Sequence, residues 1–301
     1  MTDGASEHSP TAQGDAPVTG ALLMTAAASM MAGAGLLIQL ASRHTSDSTI
    51  IFVAFAVGGA IALPLAIWRG LIFTEQTHVG LQILRVLSGV SQIALFFMAL
   101  RTLPLVDSVL LRAAAPIWVP ILLQLFWKQR MPGKTWLFIG AGFIGLVLVL
   151  QPFWTPLTIG YVFAIASGLL FAFQNIFLRQ LDQLGEPPLR TLAFVFVGGA
   201  LLSAVPAASA WETPPVGTLL MLLVIGVVMV SASFIITRSF HYAPAYVVAP
   251  FQYIAVIVSA LLGWIFFDHV PNAMTAVGCA VVIAACVLLA RSNRAAAHHH
   301  V

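Results

Sequence analysis

Long apolar runs, separated by short polar connections, dominate the pattern of this chain. A transmembrane helix needs about 20 predominantly apolar residues to cross a hydrocarbon core roughly 30 Å thick. Stretches of about this length occur at residues 18–40, 48–68, 79–100, 104–127, 135–151, 158–178, 189–209, 216–237, 244–267 and 272–290. Barrel strands would alternate apolar and polar residues over about ten positions, whereas these runs are continuously apolar. The pattern predicts an all-α integral membrane protein with ten transmembrane helices, numbered below as spans one to ten.

The composition agrees with this interpretation. Only 8% of the 301 residues are charged and 60% are hydrophobic, whereas about 25% of the residues of an ordinary soluble domain are charged. Too few charges are present to cover the chain with a solvated surface. We therefore expect its partners to be the lipid bilayer and a small molecule, not nucleic acid. The composition sets no oligomeric state, and a monomer is compatible with it.

The basic residues in the connections predict the orientation of the spans. Nine of them fall on the side of the two termini and two on the opposite side. The nine are Arg69, Lys128, Arg130, Lys134, Arg179, Arg190, Arg238, Arg291 and Arg294, and the two are Arg43 and Arg101. Because Lys and Arg accumulate in cytoplasmic loops, we expect a protein of the bacterial inner membrane with both termini in the cytoplasm. Residues 1–17 are predicted to be a disordered tail and residues 291–301 a second tail.

The chain contains an internal repeat. Pro104 and Pro244 stand 140 residues apart in similar segments, and Pro132 and Pro271 stand 139 apart. The two repeats cover residues 18–151 and 158–290. Each holds five spans, and an odd number forces the two repeats into opposite orientations across the membrane. The sequence therefore predicts two inverted five-helix repeats, an arrangement typical of secondary transporters.

Arg112 is a cation inside an apolar run, VLLRAAAPIWVP at residues 109–120. Its guanidinium stays charged and is costly near the bilayer centre. It lies about 12 Å along span four from Pro104, whereas Arg85, near the start of span three, can reach the interface with its long side chain. At the offset of 140, Arg112 corresponds to Gln252. Both would lie near the midplane, where inverted-repeat transporters bind substrate.

Seven residues of the membrane interior are the candidates for substrate binding. They are Arg112, Gln92, Gln252, Tyr253, Gln174, Asn175 and Trp118. Arg112 would clamp a carboxylate, the amides would hydrogen-bond an amino or amide group, and the two rings would pack against an apolar or aromatic side chain. The competing interpretation is structural. Arg112 would then bond glutamines or free carbonyls, the amides would join helices, and the rings would pack in the core.

Prolines within spans four and nine are candidates for gating. Pro116, Pro120 and Pro250 interrupt helical hydrogen bonding and bend helices. Bending of these repeat-related spans would alternate access to a central cavity. A fixed kink that serves packing is the competing interpretation for each proline.

Acidic residues are missing from the depth of every span, and Asp107 comes nearest. Because proton-driven carriers commonly use a buried carboxylate or histidine, the sequence favours facilitated diffusion or exchange. The motif GAGFIG at 140–145 lies inside span five with no strand before it, so it favours close helix contact over nucleotide binding. No nucleophile motif or metal-ligand motif is present. We therefore expect a transporter with no cofactor and no metal site, and an intramembrane enzyme is the alternative of another class.

One long segment carries a family resemblance. RVLSGVSQIALFFMALRTLPLVDSVLLRAAAPIWVPILLQLF followed by KQRMP, with its weaker echo ending in GWIFFDHVP, resembles the paired EamA repeats of the drug/metabolite transporter superfamily. The resemblance covers residues 18–291. It implies a metabolite transporter whose central cavity is lined by spans one, three, four, six, eight and nine. Similarity to YddG-type exporters implies outward movement of amino acids, aromatic or apolar ones included, by alternating access. The alternative is a larger heterocyclic metabolite such as riboflavin or S-adenosylmethionine.

Overall fold

Helices form every regular element in the described part of the chain. The computed structural model describes residues 17–71, 77–100, 102–103, 111–128, 133–150, 158–211, 213–267 and 273–298. Its helices are α1 (Pro17–Ala41), α2 (Asp47–Trp68), α3 (Val79–Leu100), α4 (Ala115–Trp127), α5 (Gly133–Leu150), α6 (Ile159–Gln183), α7 (Pro188–Ser209), α8 (Val216–Tyr242), α9 (Ala245–Val248), α10 (Ile254–Phe267) and α11 (Ala273–His298). A 3₁₀ segment, Ala249–Tyr253, joins α9 to α10. Asp107 and most of the predicted N-terminal tail lie outside the described residues, and α11 continues through residues 291–298 of the predicted C-terminal tail.

The lengths of these helices match the predicted spans. In the part of the chain that the structure describes, seven stretches are long and apolar enough to cross a membrane, and one of them is the run from α9 to α10. Three shorter apolar helices, Ala115–Trp127, Gly133–Leu148 and Ala273–Leu288, lie where spans four, five and ten were predicted. Seven and three make the ten predicted spans, and the all-α membrane fold is confirmed.

The packing of the spans follows the internal repeat. Helix α1 packs on α8, and α3 packs on α6. The repeat relates each span to the one five places along, so span one corresponds to span six and span eight to span three. The pair of spans one and eight (α1 and α8) therefore corresponds to the pair of spans six and three (α6 and α3). The pairs α2 with α7 and α5 with α11 map onto themselves under the same operation. A pseudo-two-fold axis through these self-matching pairs is the arrangement expected of inverted repeats.

The α2–α7 contact depends on glycines of a repeated VGGA sequence, at residues 57–60 and 197–200. A Cβ atom on Gly58 would lie 2.1 Å from the Phe196 ring, and one on Gly199 would lie 2.6 Å from the Phe55 ring. The two rings meet edge to face with centroids 5.8 Å apart. Each helix therefore accepts an aromatic side chain from its partner at the place where its own glycines leave room.

Small residues of the GAGFIG motif bring α5 close to its neighbours. A Cβ on Gly145 would lie 2.9 Å from the Gly278 carbonyl oxygen of α11, and one on Gly142 would lie 3.1 Å from the Tyr253 ring. The prediction that this motif serves close helix contact is confirmed.

Spans four and nine are both interrupted. The helical turn Leu111–Ala113 ends at a turn at Ala114, and α4 begins at Ala115. Pro116 lies in the first turn of α4 and Pro250 in the first turn of the 3₁₀ segment, where the missing N–H removes no helical hydrogen bond. Pro120 lies inside α4. Pro116 and Pro250 therefore lie in the first turns of their segments, beside the breaks in spans four and nine, and a role of the three prolines in gating stays a prediction.

Candidate functional site

The guanidinium of Arg112 lies between two aromatic rings at the break in span four. Its Nε donates a hydrogen bond of 3.0 Å to Oε1 of Gln92 on α3. The guanidinium carbon lies 4.9 Å from the ring centroid of Phe96 and 5.2 Å from that of Phe171. Among the described residues, no carboxylate contacts Arg112. Aromatic faces stabilise a cation but do not neutralise its charge, so the site retains a positive charge that an anion can match.

Helix α6 holds this arrangement together. A Cβ on Gly168 would lie 2.7 Å from the Leu111 carbonyl oxygen, so only glycine lets α6 approach the break so closely. One residue earlier, the Ser167 hydroxyl donates a 2.7 Å hydrogen bond to the backbone carbonyl of Gln92. These contacts fix α3 and the break against one face of α6. The position of Arg112 is therefore set by backbone contacts as well as by its side chain.

Four of the candidate residues carry a buried polar atom without a hydrogen-bond partner in the described structure. These atoms are Oε1 of Gln174, Nδ2 of Asn175, Oε1 of Gln252 and the hydroxyl of Tyr253. A buried polar group left without a partner costs about 1–3 kcal/mol. Such groups occur where water or a ligand supplies the missing bond. Each of these four atoms has the capacity for one more hydrogen bond, with water or with a ligand.

The structure brings only part of the candidate set together. Gln92 and Arg112 are in direct contact, and Gln174 packs against α3 at Gly89, where a Cβ would lie 3.1 Å from its Nε2. Gly89 lies one turn before Gln92 on α3, so Gln174 is a near neighbour of the Arg112 site. Asn175 is 3% exposed on the adjacent position of α6.

The aromatic candidates lie in the packed core. Tyr253 is 1% exposed, with its ring against Gly142 of α5. Trp118 is partly buried against a hydrophobic cluster that includes Ala115 and Phe251. Neither ring has a recorded contact with Arg112 in the described structure. The rings that do contact Arg112, Phe96 and Phe171, were not among the sequence candidates, because periodicity marks many apolar aromatics and does not single out the two that meet a particular cation.

A charged network, also absent from the sequence candidates, lies where α6 meets α7. The Glu186 carboxylate pairs with Arg190 at 2.7 Å and accepts 2.6 Å and 3.3 Å hydrogen bonds from the backbone N–H and Nδ1 of His78. Asp182 pairs with Arg179 at 3.0 Å and with His241 at 3.1 Å. We call the end of the molecule defined by these six residues the charged end. The i,i+3 and i,i+4 spacings within 179–190 are visible in the sequence, but the histidines are distant along the chain.

Arg85 corrects one expectation. It is 3% exposed, and its Nη1 donates a 2.9 Å hydrogen bond to the carbonyl of Thr191 on α7. The side chain therefore joins α3 to α7 and does not reach toward the interface.

A cavity of about 370 Å³ lies beside the charged network. Its walls come from the end of α4, the end of α6 and the junction of α8 with α9, and they include Trp127, Arg179, Gln183 and Tyr246. The opposite end of α6 is tightly packed, since Ala99, Leu103 and Ala164 form a buried apolar cluster with Leu111, Tyr161 and Phe163. We call this the closed end.

The family assignment follows from comparison with known proteins. The model of the EamA-like transporter family matches residues 18–151 and 158–291. The chain belongs to the EamA-like transporter family. It is thus a multi-pass membrane transporter of small metabolites and not an enzyme, as the repeat and the resemblance predicted.

Relatives with different cargoes resemble this EamA-like chain over most of its length. A pseudopaline exporter of Pseudomonas aeruginosa, CntI, is 26% identical over 92% of this chain and 97% of its own. A riboflavin transporter of Brucella anthropi is 26% identical over 90% and 98%. An S-adenosylmethionine uptake transporter of Rickettsia bellii is 22% identical over 82% and 84%. One solved structure matches with a TM-score of 0.76 at 17% identity, over 91% of this chain and 98% of that one, which supports the fold alone.

Proposed function

We propose that Arg112 binds the carboxylate of a small metabolite that this transporter carries across the membrane. The observation that carries the proposal is that no carboxylate among the described residues contacts the guanidinium of Arg112, which lies beside the rings of Phe96 and Phe171. A carboxylate supplies the missing charge and two acceptor oxygens for bidentate bonding. Oε1 of Gln92 accepts the hydrogen bond from Nε of Arg112, and the two terminal nitrogens of the guanidinium are left to face the substrate. The unpartnered amides of Gln174, Asn175 and Gln252 support recognition of a further polar group.

The substrate class we propose is the amino acids, aromatic ones included, together with metabolites that carry an amino-acid head and a ring. The carboxylate would bind Arg112 and the apolar or aromatic part would lie against Phe96 and Phe171. The relatives named for S-adenosylmethionine and riboflavin fit a larger heterocyclic metabolite, which is the alternative, better than a simple amino acid. A second candidate is a heterocycle without a carboxylate, as the relatives named for riboflavin suggest. Its ring would stack on the same two phenylalanines, and Arg112 would bond a carbonyl oxygen.

The transport we propose is outward and follows the substrate gradient, by facilitated diffusion or exchange in the bacterial inner membrane. A relative named as an exporter supports the direction, and the excess of basic residues at the charged end supports placing that end and both termini in the cytoplasm. The two acidic side chains of the charged network are each paired with an arginine. Among the described residues, no acidic side chain lies beside Arg112 to accept a proton.

Uptake by proteoliposomes preloaded with unlabelled substrate tests the proposal. Labelled phenylalanine, S-adenosylmethionine and riboflavin are compared for wild type, Arg112→Gln and the control Arg69→Gln, which removes an exposed cation at the end of α2. We expect Arg112→Gln to lower exchange of the carboxylate substrates at least tenfold while its melting temperature in detergent stays near the wild-type value. Arg69→Gln is expected to transport normally.

Either of two other outcomes would change the assignment. Normal exchange by Arg112→Gln would mean that Arg112 has a structural role and does not bind the substrate. Transport of riboflavin without transport of either amino-acid compound makes the second candidate correct.

A further inference from the structure

The cavity at the charged end has the dimensions and chemistry of a small-molecule site. Its volume of about 370 Å³ falls in the range of about 300–1,000 Å³ typical of ligand pockets. Two aromatic side chains, Trp127 and Tyr246, and two amides, Gln180 and Gln183, line it. Aromatic faces with a few amide groups are suited to a planar ring whose edge carries hydrogen-bond donors and acceptors.

We propose that this cavity is an entry site, a second binding site for the transported molecule at the charged end. In it a planar ring packs against Trp127 and Tyr246, and the edge of the ring hydrogen-bonds with Gln180 and Gln183. The inference rests on the proposed function for the identity of the molecule, and it adds a place where that molecule binds before it reaches Arg112.

The geometry of Arg179 supports a preformed wall for this site. Its Nη1 donates to the Asp182 carboxylate at 3.0 Å and to the Phe240 carbonyl. Asp182 is held in turn by His241 at 3.1 Å. The wall formed by α6 is thereby fixed to the end of α8. A preorganised wall lowers the ordering cost of binding.

One face of α6 connects the entry site to Arg112. Gly168 touches the backbone of Leu111 and Arg112, and Arg179 lines the cavity. Gly168, Asn175 and Arg179 follow one another at spacings of seven and four, so they share a helical face, which runs about 16 Å from the first to the last. Midway, the buried Nδ2 of Asn175 has no hydrogen-bond partner among the described residues. A passing substrate would supply that partner.

The two ends of this α6 face differ, because the end at the start of α6 is tightly packed. Around the start of α6, Leu103 and Ala164 pack with Leu111, the residue that precedes Arg112. A Cβ on Gly160 would lie 2.1 Å from the Thr102 hydroxyl oxygen and 2.7 Å from Leu103. In this conformation the cavity therefore lies at the end of α6 that is opposite the packed apolar cluster.

Equilibrium binding to the purified full-length protein in detergent tests the inference, with radiolabelled riboflavin and S-adenosylmethionine as probes. The variants are Trp127→Leu, Arg112→Gln and their combination. Trp68→Leu is the matched control, because Trp68 lies at the same end of the molecule, is 79% exposed and does not line the cavity. Trp127→Phe tests rescue by a smaller ring.

We expect the wild type and Trp68→Leu to bind two molecules of a transported probe, and Arg112→Gln to keep one. Trp127→Leu should weaken that remaining site about tenfold, and Trp127→Phe should restore most of the affinity. In liposomes, Trp127→Leu should raise the KM for entry from the charged end and leave the maximal rate near its wild-type value.

The results that would contradict the entry site differ from those that would contradict the Arg112 proposal. Unchanged binding by Trp127→Leu in both backgrounds, or one molecule bound by the wild type and none by Arg112→Gln, overturns the entry site while the Arg112 proposal stands. Transport that survives Arg112→Gln together with two bound molecules overturns the Arg112 proposal and leaves the entry site. Failure of the wild type to bind either probe overturns the entry site for planar-ring molecules.

Discussion

The two ends of this pseudo-symmetric transporter are held together by different interactions. At the charged end, two buried carboxylates, Asp182 in the last turn of α6 and Glu186 just before α7, bind two arginines and two histidines. At the closed end, Leu103, Ala164 and Tyr161 pack without any ion pair between described residues. Ion pairs need good geometry and partners to offset their desolvation, whereas apolar packing needs shape. The comparison teaches that the same repeat can hold its two ends together by different interactions, so the ends should respond to different mutations.

The largest effect is expected at Glu186, whose side chain is 1% exposed and holds both Arg190 and the start of α3. Glu186→Ala leaves the buried Arg190 without its carboxylate, which typically costs about 3–5 kcal/mol. We expect a large fall in melting temperature in detergent, measured by loss of the monodisperse species on heating. The double variant Glu186→Gln/Arg190→Met removes both charges and should recover most of the stability. If the single and double variants melt alike, the ion pair does not stabilise this end.

An intermediate effect is expected at the closed end from Gly160→Ala. The added methyl group would lie 2.1 Å from the Thr102 hydroxyl and 2.7 Å from Leu103, so α6 must move away from the end of α3. Overpacking of this kind costs about 1–3 kcal/mol. We expect a lower melting temperature, together with faster maleimide labelling of a cysteine introduced at Ala164, which is buried in the wild type.

Gly217→Ala is the control for this change, because Gly217 lies in the first turn of α8 at the same end and a Cβ there meets open space. It should leave both measurements at wild-type values. Equal effects of the two alanines would mean that close packing at Gly160 does not keep this end closed.

Particular residues show how much of the fold and of the site can be predicted from the sequence. The ten spans and their inversion follow from apolar length and from a repeat of five spans, and Arg112 stands out in the sequence because it is a lone cation in an apolar run. Gln92 was selected because it is polar and deep, and it contacts Arg112. That Tyr253 faces α5 depends on the rotation of a 3₁₀ segment, which helical periodicity does not predict.

The charged network shows the same limit to what can be predicted from the sequence. The pairing of Glu186 with Arg190 follows from a spacing of four, whereas its bond with His78 spans 108 positions of the chain. Such a contact depends on how α3 and α7 meet, and no pattern within either helix encodes it. The sequence thus predicts which residues are unusual, and the packing decides which of them become partners.

The smallest expected effect compares histidines of the two ends. His241 shares Asp182 with Arg179 and has a side chain that is 37% exposed, so His241→Ala removes one hydrogen bond that water partly replaces. We expect a loss of about 0.5–1 kcal/mol, measured as a shift of the detergent melting curve at pH 7.

His44→Ala, at the other end, provides the contrast for His241→Ala. The His44 backbone N–H bonds the Ala41 carbonyl, but its side chain is exposed and has no recorded partner in the described structure. The change should therefore leave the melting curve in place. A shift equal to that of His241→Ala would show that the loss reflects the residue type alone, and the Asp182 bond would then contribute nothing measurable to holding the charged end. A shift for His241→Ala alone, abolished when Asp182→Asn is already present, would assign the difference between the ends to this one contact.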